Sequence, residues 1–424
     1  MKLGFAGKDE SGLVRHGSLL MAGTMVGAAC NAGFHMVVGR TLPGAEYGSL
    51  VAMLGIVLAA TTPMLALQNT LAHFVSKLAM EGKRDEIMDL FLHWVVRFAA
   101  ITVLVAAGAA WWREPLAAFW GGVDPALVVA TFAVLAASLW MNLFYGLLQG
   151  MQAFVWLAWA PQAWGATRLA LGWAFTAWVA ATALSAVVAQ GVGVLAVLGL
   201  CAWGTSTLKL RRGAVRARRP RGTYRYLGAS LFCLAGYAAL MNLDATLAKH
   251  YFDAETAGLF AKAATIARTA VFLPVPVATV LFPKVTSAGE MTEESWRLLR
   301  RALGFAGLLI CGAAGACAVL PQLPWTILYG AWAPEHAAEA AALTRAMALA
   351  AAPLAVAYLL LNFQMAQRRF RAAAALVPCG LAYVGGVAAF HDGPMQIAAV
   401  LGCLNVVAAA TLAGAVFARR RTSR

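Results

Sequence analysis

The chain has 424 residues, of which 62% are hydrophobic and 12% charged, with a formal net charge of +15. A soluble domain carries about 25% charged residues, so half of the usual solvating surface is missing, and the mean hydropathy is +0.73. These values exclude a soluble enzyme, a disordered regulator and a disulfide-built secreted scaffold, and leave an all-α polytopic membrane protein.

A spanning helix needs about 20 mostly apolar residues. Twelve such runs follow in chain order: 17–38, 47–75, 91–112, 124–148, 156–182, 188–208, 227–249, 257–283, 302–320, 337–362, 372–391 and 395–417. The first is too long for a signal peptide and ends on no small-residue cleavage site, so none is expected. Pro63, Pro161, Pro274, Pro276 and Pro353 fall inside spans, where each removes a backbone hydrogen bond and predicts a kink. Such breaks are tolerated where a helix lines a cavity.

Orientation follows from the basic residues. With the N-terminus in the cytoplasm, 25 of the 33 Lys and Arg fall on the cytoplasmic side, three (Arg40, Arg113 and Lys249) on the other, and five within spans. The expected location is the cytoplasmic (inner) membrane, multi-pass, with both termini cytoplasmic. Lys209 to Arg225 holds eight cations and no acid. That suits a topology anchor on anionic headgroups and a linker, 209–226, between an N-terminal lobe, 1–208, and a C-terminal lobe, 227–424.

The halves look related. VVGRTLPGAEYGSLVAML runs through Pro63 to HFVSK, and about 210 residues later LAKHYFDAETAGLFAKAA runs through Pro274 to LFPKV. Both pair an acidic turn with Gly48 or Gly258, then a long Pro-broken helix. Six spans per half predict parallel repeats about an axis normal to the membrane, with a central site between six-helix lobes.

Charges near a helix centre cost about 2.5–3.5 kcal/mol each on insertion scales. Five cations lie within spans, Arg97, Arg168, Lys262, Arg268 and Arg345, against one deep carboxylate, Asp244. Pairing neutralises one, so the remainder must snorkel or face a wet cavity. Arg97 is near enough to a surface to snorkel, Lys262 reads equally as snorkelling and as lining a cavity, Arg345 reads rather as facing the cavity, and Arg168 and Arg268 are near mid-membrane, one in each lobe. A positive cavity suits an anion, and the guanidinium fork suits phosphate. Asp244 reads equally as a counter-ion for Lys262 or Arg268 and as a titrating group that couples transport to an ion. Asn31, Gln68, Asn69, Asn142 and Gln162 are candidates for sugar hydroxyls, although such residues more often tie helices together.

Other motifs carry less. Gly23-x-x-x-Gly27 marks close helix packing. Gly191-x-Gly193 follows no strand, and no P-loop is present. The seven cysteines fall in apolar runs without metal spacing, and the histidines form no metal cluster. Trp111, Trp112, Trp156, Trp325 and Trp332 suit interfacial belts. The basic excess belongs to topology, so no nucleic acid is expected as a partner, and no cofactor is called for.

Gly39 to Lys77, Leu148-Gln149-Gly150-Met151-Gln152, the stretch Asp244 to Phe260 and Leu281-Phe282-Pro283-Lys284 together resemble polysaccharide flippases. These belong to the multidrug/oligosaccharidyl-lipid/polysaccharide exporter superfamily, and the resemblance covers most of the chain in order. It implies two six-helix lobes, alternating access and a cationic cavity that passes a lipid-diphosphate-linked oligosaccharide outward. Partners would be membrane lipids, the anionic lipid-linked glycan and a glycan polymerase or synthase. The first span lacks the acidic residue often used by related multidrug exporters, and twelve spans fall short of the fourteen usual in peptidoglycan-precursor flippases. The expectation is a secondary-active flippase and no enzyme. A multidrug or metabolite antiporter, a peptidoglycan-precursor flippase and a non-transporting assembly factor stand as alternatives.

Overall fold

A computed structural model describes residues 10–210, 223–272, 292–330, 336–367 and 369–422. Most of the 209–226 linker, Pro274, Pro276, the 281–284 motif and Trp332 lie outside them. No strand occurs among the described residues. The helices are α1 Glu10–Thr41, α2 Gly44–Thr61, α3 Leu65–Met80, α4 Arg84–Trp111, α5 Arg113–Phe119, α6 Pro125–Gly150, α7 Phe154–Trp178, α8 Ala183–Thr207, α9 Thr223–Asn242, α10 Asp244–Tyr251 and α11 Ala254–Phe272. They continue as α12 Glu293–Val319, α13 Gln322–Tyr329, α14 Ala337–Ala366, α15 Phe370–Ala373, α16 Leu376–Ala389 and α17 Pro394–Thr422. Every apolar run read from the sequence overlaps one of these helices or a broken pair. Eight helices among the described residues are long and apolar enough to cross a membrane, and nine if the bent pair α9–α10 counts as one span. The protein is multi-pass.

The breaks have local causes. Pro63 sits in a 3-10 turn, Thr62–Met64, that divides one apolar run into α2 and α3, because proline lacks the N–H that would continue the ladder. The hydroxyls of Thr61 and Thr62 bond back to the carbonyls of Val57 and Leu58 at 2.7 and 2.6 Å. Pro161 and Pro353, by contrast, lie inside continuous helices. The α9–α10 pair bends by 53° at Leu243. Two helix starts show side-chain caps clearly: Asp124 accepts the Ala126 N–H at 2.8 Å ahead of α6, and Thr292 accepts that of Ser295 at 3.1 Å ahead of α12, as short polar side chains do at N-caps.

The chain forms two compact units. The first contains α1, α3, α4, α6, α7 and α8, and the second contains α2, most of α9 and α10 to α17. In the first, Gly23 and Gly27 let α1 approach α7, facing the Ala158 backbone and the Gln162 side chain. In the second, Asn405 donates to the Ala350 carbonyl at 2.8 Å and Gln364 to that of Leu412 at 2.9 Å, so side-chain amides tie α14 to α17. Small residues and amide bonds are what bring helices together where lipid is as apolar as leucine.

The two turns read as repeats meet each other. A Cβ placed on Gly48 would lie 2.9 Å from the Gly258 Cα, and Gly258 in turn faces the Gly44 carbonyl. Both turns lie in the second unit, and the absence of side chains at Gly48 and Gly258 is what lets α2 and α11 come this close. The seven cysteines are free, with Cys311 and Cys403 exposed.

Candidate functional site

In the second unit the bend at Leu243 makes Asp244 the first residue of α10. A carboxylate there meets the positive end of the helix dipole, and its Oδ1 accepts the Ala245 N–H at 2.7 Å. The same oxygen takes the Arg268 guanidinium from α11, in an ion pair whose side chains are 4% and 13% exposed. Of the two counter-ion assignments open in the sequence, the structure makes Arg268 the partner. The field of both charges reaches the Tyr383 hydroxyl on α16. Among the described residues that hydroxyl and the Arg268 Nε, both buried, have no hydrogen-bond partner.

One turn from Arg268, Thr265 opens a hydroxyl cluster. Tyr47 on α2 bonds the Thr265 hydroxyl at 3.2 Å and lies 3.4 Å from that of Tyr329. Tyr329 donates to the Lys262 carbonyl at 3.0 Å. The Lys262 ammonium lies 5.3 Å from the Tyr329 ring centroid and 6.0 Å from that of Trp325, close enough for cation–π attraction. Trp325 is 2% exposed and donates to Thr344 at 2.6 Å. It therefore belongs to this buried cluster and not to an interfacial belt, because its indole N–H has a partner inside the protein.

In the first unit Arg168 on α7 is 3% exposed. Its guanidinium carbon lies 3.9 Å from the Phe34 ring centroid and 4.5 Å from that of Trp164. Gly172, against the Phe34 ring, and Gly193, beside Trp164, leave room for this cage. Arg97 sits elsewhere in the unit: its Nη1 donates to the Tyr224 hydroxyl at 2.6 Å, which His93 also meets at 3.0 Å.

The expected cations thus occupy distinct settings. Arg268 and Lys262 share the hydroxyl cluster. Arg345 is exposed and bonds the Ala318 carbonyl at 2.8 Å, where basic side chains meet the last carbonyls of a helix. Arg168 is enclosed by rings, and Arg97 is held by Tyr224. Among the polar candidates, Gln68 donates to Gln149 at 3.0 Å, tying α3 to α6. Gln162 lies against Gly27, Asn142 is buried, Asn31 is half-buried and Asn69 is exposed. No group able to hold a metal ion occurs among the described residues.

Tyr47, Tyr329 and Tyr383 were missed from the sequence because a tyrosine in an apolar span reads as core. The one usable signal was the place of Tyr47 in the repeated turn. Lys249 counts from the sequence as a loop cation, yet it is 4% exposed, in the field of Glu46 and Asp253.

No family model and no curated protein matches the sequence. Solved structures match over nearly the whole chain. An inward-facing MATE-family multidrug resistance transporter of the MOP superfamily superposes with a TM-score of 0.75 at 12% identity, covering 96% of this chain and 98% of its own. The lipid II flippase MurJ in an inward closed conformation gives 0.70 at 12%, covering 94% and 87%. A MOP superfamily transporter from Pyrococcus furiosus Vc1, described by a reversed polarity of its binding pocket, gives 0.70 at 15%, covering 97% and 95%. The chain has the fold these transporters share.

Proposed function

We propose that this protein is a secondary-active flippase that moves a polyprenyl-diphosphate-linked oligosaccharide across the cytoplasmic membrane by alternating access. Its lobes, 1–208 and 227–424, pass the headgroup between them. Both termini lie in the cytoplasm, and the lipid tail stays in the bilayer.

The observation that carries the reading is the unequal provision of charge at membrane depth. Arg168 is buried, Arg268 and Lys262 are half-buried, and the one buried carboxylate among the described residues, Asp244, is taken by Arg268. The Lys262 ammonium meets aromatic faces and makes no ion pair among the described residues. A phosphate brought to these groups would exchange water for charge-assisted hydrogen bonds, which offsets part of the cost of crossing a low-dielectric region. Asp244 is then the ion-coupling residue: Arg268 alternates between its carboxylate and the substrate. Arg97 and Arg345 serve the approach to the site. Among fold relatives, a flippase of lipid II and a transporter with a reversed pocket polarity support an anionic lipid cargo, and an interior of this sign repels the organic cations many drugs present.

The test is export of lipid-linked glycan by Arg168→Ala and by the paired change Asp244→Asn with Arg268→Gln, which leaves no unmatched charge. Each is expected to lower export about tenfold or more, the loss of one or two charged hydrogen bonds. Normal export by both at normal protein level would remove these residues from the mechanism, and drug efflux in its place would establish the antiporter reading.

A further inference from the structure

We infer that Arg97, His93 and Tyr224 form a site on the lipid-facing flank of α4 that holds the phosphate of an anionic glycerophospholipid from the cytoplasmic leaflet. The ligand is a resident lipid and not the cargo. The inference therefore goes beyond the carrier reading and shares with it only the orientation of the chain.

All three residues belong to the first compact unit. Of the eight candidate spans among the described residues, α4 has the smallest buried share, so it is a peripheral helix with one flank open to lipid. Its inner face is fixed. Trp94 is buried beside Phe98, the Phe98 ring meets that of Trp140 on α6 at 6.2 Å, and the Trp140 indole donates to Thr102 at 2.8 Å. His93 and Arg97 are four residues apart and share the adjoining face. Both are half-buried, and Ile101 and Leu104 continue that face as exposed apolar side chains.

The guanidinium of Arg97 is oriented but little used. Its carbon lies 5.3 Å from the Tyr224 ring centroid and 5.7 Å from that of Trp94, so two rings steady it by cation–π attraction. The exposed Tyr224 hydroxyl takes its Nη1 at 2.6 Å and meets His93 Nε2 at 3.0 Å. That is one bond for a group with about five N–H donors, and Arg97 makes no ion pair among the described residues. Asp89, on the same face, lies two turns nearer the cytoplasmic end of α4.

Depth selects the ligand. Arg97 lies six residues inside the apolar run that opens at Phe91, about 9 Å of helix rise. An arginine there snorkels to the level of the headgroups, where its fork fits two oxygens of one phosphate. A lipid held this way lays an acyl chain along Ile101 and Leu104, which a soluble phosphate would leave bare. By sequence, the stretch Lys209 to Arg225 that leads past Tyr224 carries eight cations and no acid. Basic pockets beside spans on the cytoplasmic side take anionic headgroups.

The experiment uses the full chain in detergent micelles, with native mass spectrometry reading the binding of phosphatidylglycerol and of phosphatidylcholine with the same acyl chains. The wild type is expected to bind phosphatidylglycerol about fivefold more tightly than phosphatidylcholine. Arg97→Gln is expected to lower the affinity for phosphatidylglycerol about tenfold or more. Arg300→Gln removes an exposed cation of α12 on the same side and is expected to change it by less than about twofold. Wild-type affinity in Arg97→Gln overturns the site, and so does an equal fall in Arg300→Gln, which would mean unspecific charge attraction. Displacement of the bound lipid by excess inorganic phosphate would assign the site to a soluble anion and overturn the lipid. Should Arg97→Gln fail to fold, equal affinity of the wild type for the two lipids decides against the site. Transport is not read, so a failed export assay counts against the carrier reading alone.

Discussion

Arg168 and Arg268 both hold a guanidinium at membrane depth, and their surroundings differ in kind. Arg168 lies against the rings of Phe34 and Trp164. Arg268 lies on a carboxylate, a partner an incoming anion can displace. Ring faces stabilise a cation by about 0.5–2 kcal/mol and leave its fork of N–H groups to other acceptors. An ion pair satisfies the charge more fully but makes each partner depend on the other. The first environment suits a fixed positive potential, and the second suits a group that changes partners.

The largest expected effect breaks the second environment. Asp244→Ala leaves a buried guanidinium uncompensated and should cost about 3–5 kcal/mol, read as a lower midpoint in a denaturant titration of detergent-purified protein. Asp244→Leu with Arg268→Met should recover most of that loss; if it does not, the pair is more than a charge match. Next comes the cage. Phe34→Leu should cost about 1–3 kcal/mol, combining a lost ring face with a small cavity, and Phe34→Trp should cost less. Tyr329→Phe, which removes the bond to the Lys262 carbonyl, should cost about 1 kcal/mol in the same assay.

The smallest effect lies in the repeated turn. Asp253 accepts the Glu255 and Thr256 N–H groups at 2.9 and 3.0 Å and the Thr256 hydroxyl at 2.7 Å. These donors hold its carboxyl below the usual carboxylate range. A lowered carboxyl adds stability above its ordinary range and loses it as the pH falls through its folded value. The unfolding midpoint of the wild type should therefore drop on acidification slightly more than that of Asp253→Asn. The side chain is almost wholly solvated, so the difference should be small, and an equal slope in both proteins would remove the turn from the acid response.

The apolar runs and the likeness of the turns at Gly48 and Gly258 were legible because they are local patterns: length, hydropathy and a recurring turn. Pro63 was legible as a break, yet Pro161 and Pro353 carry the same letter and lie inside continuous helices. Nothing local separates them. Arg345 reads from the sequence as a cation facing a cavity, but the Ala318 carbonyl that receives it belongs to α12, 27 residues away. Gln68 and Gln162 reach Gln149 and Gly27 in the same way. Each of these depends on which helix lies opposite, and hydropathy carries no record of that.

Composition and periodicity alone determined a multi-pass helical protein whose apolar runs hold more cations than carboxylates. These follow from the cost of exposing a peptide group or a charge to hydrocarbon, which every span pays separately. Tertiary structure alone decided that Asp244 belongs to Arg268, that Tyr47 and Tyr329 join Lys262 in one cluster, and that α2 leaves its own span to pack on α11. Those choices turn on the rotation of helices against one another, and a rotation of a few tens of degrees changes which side chains meet without altering any apolar run.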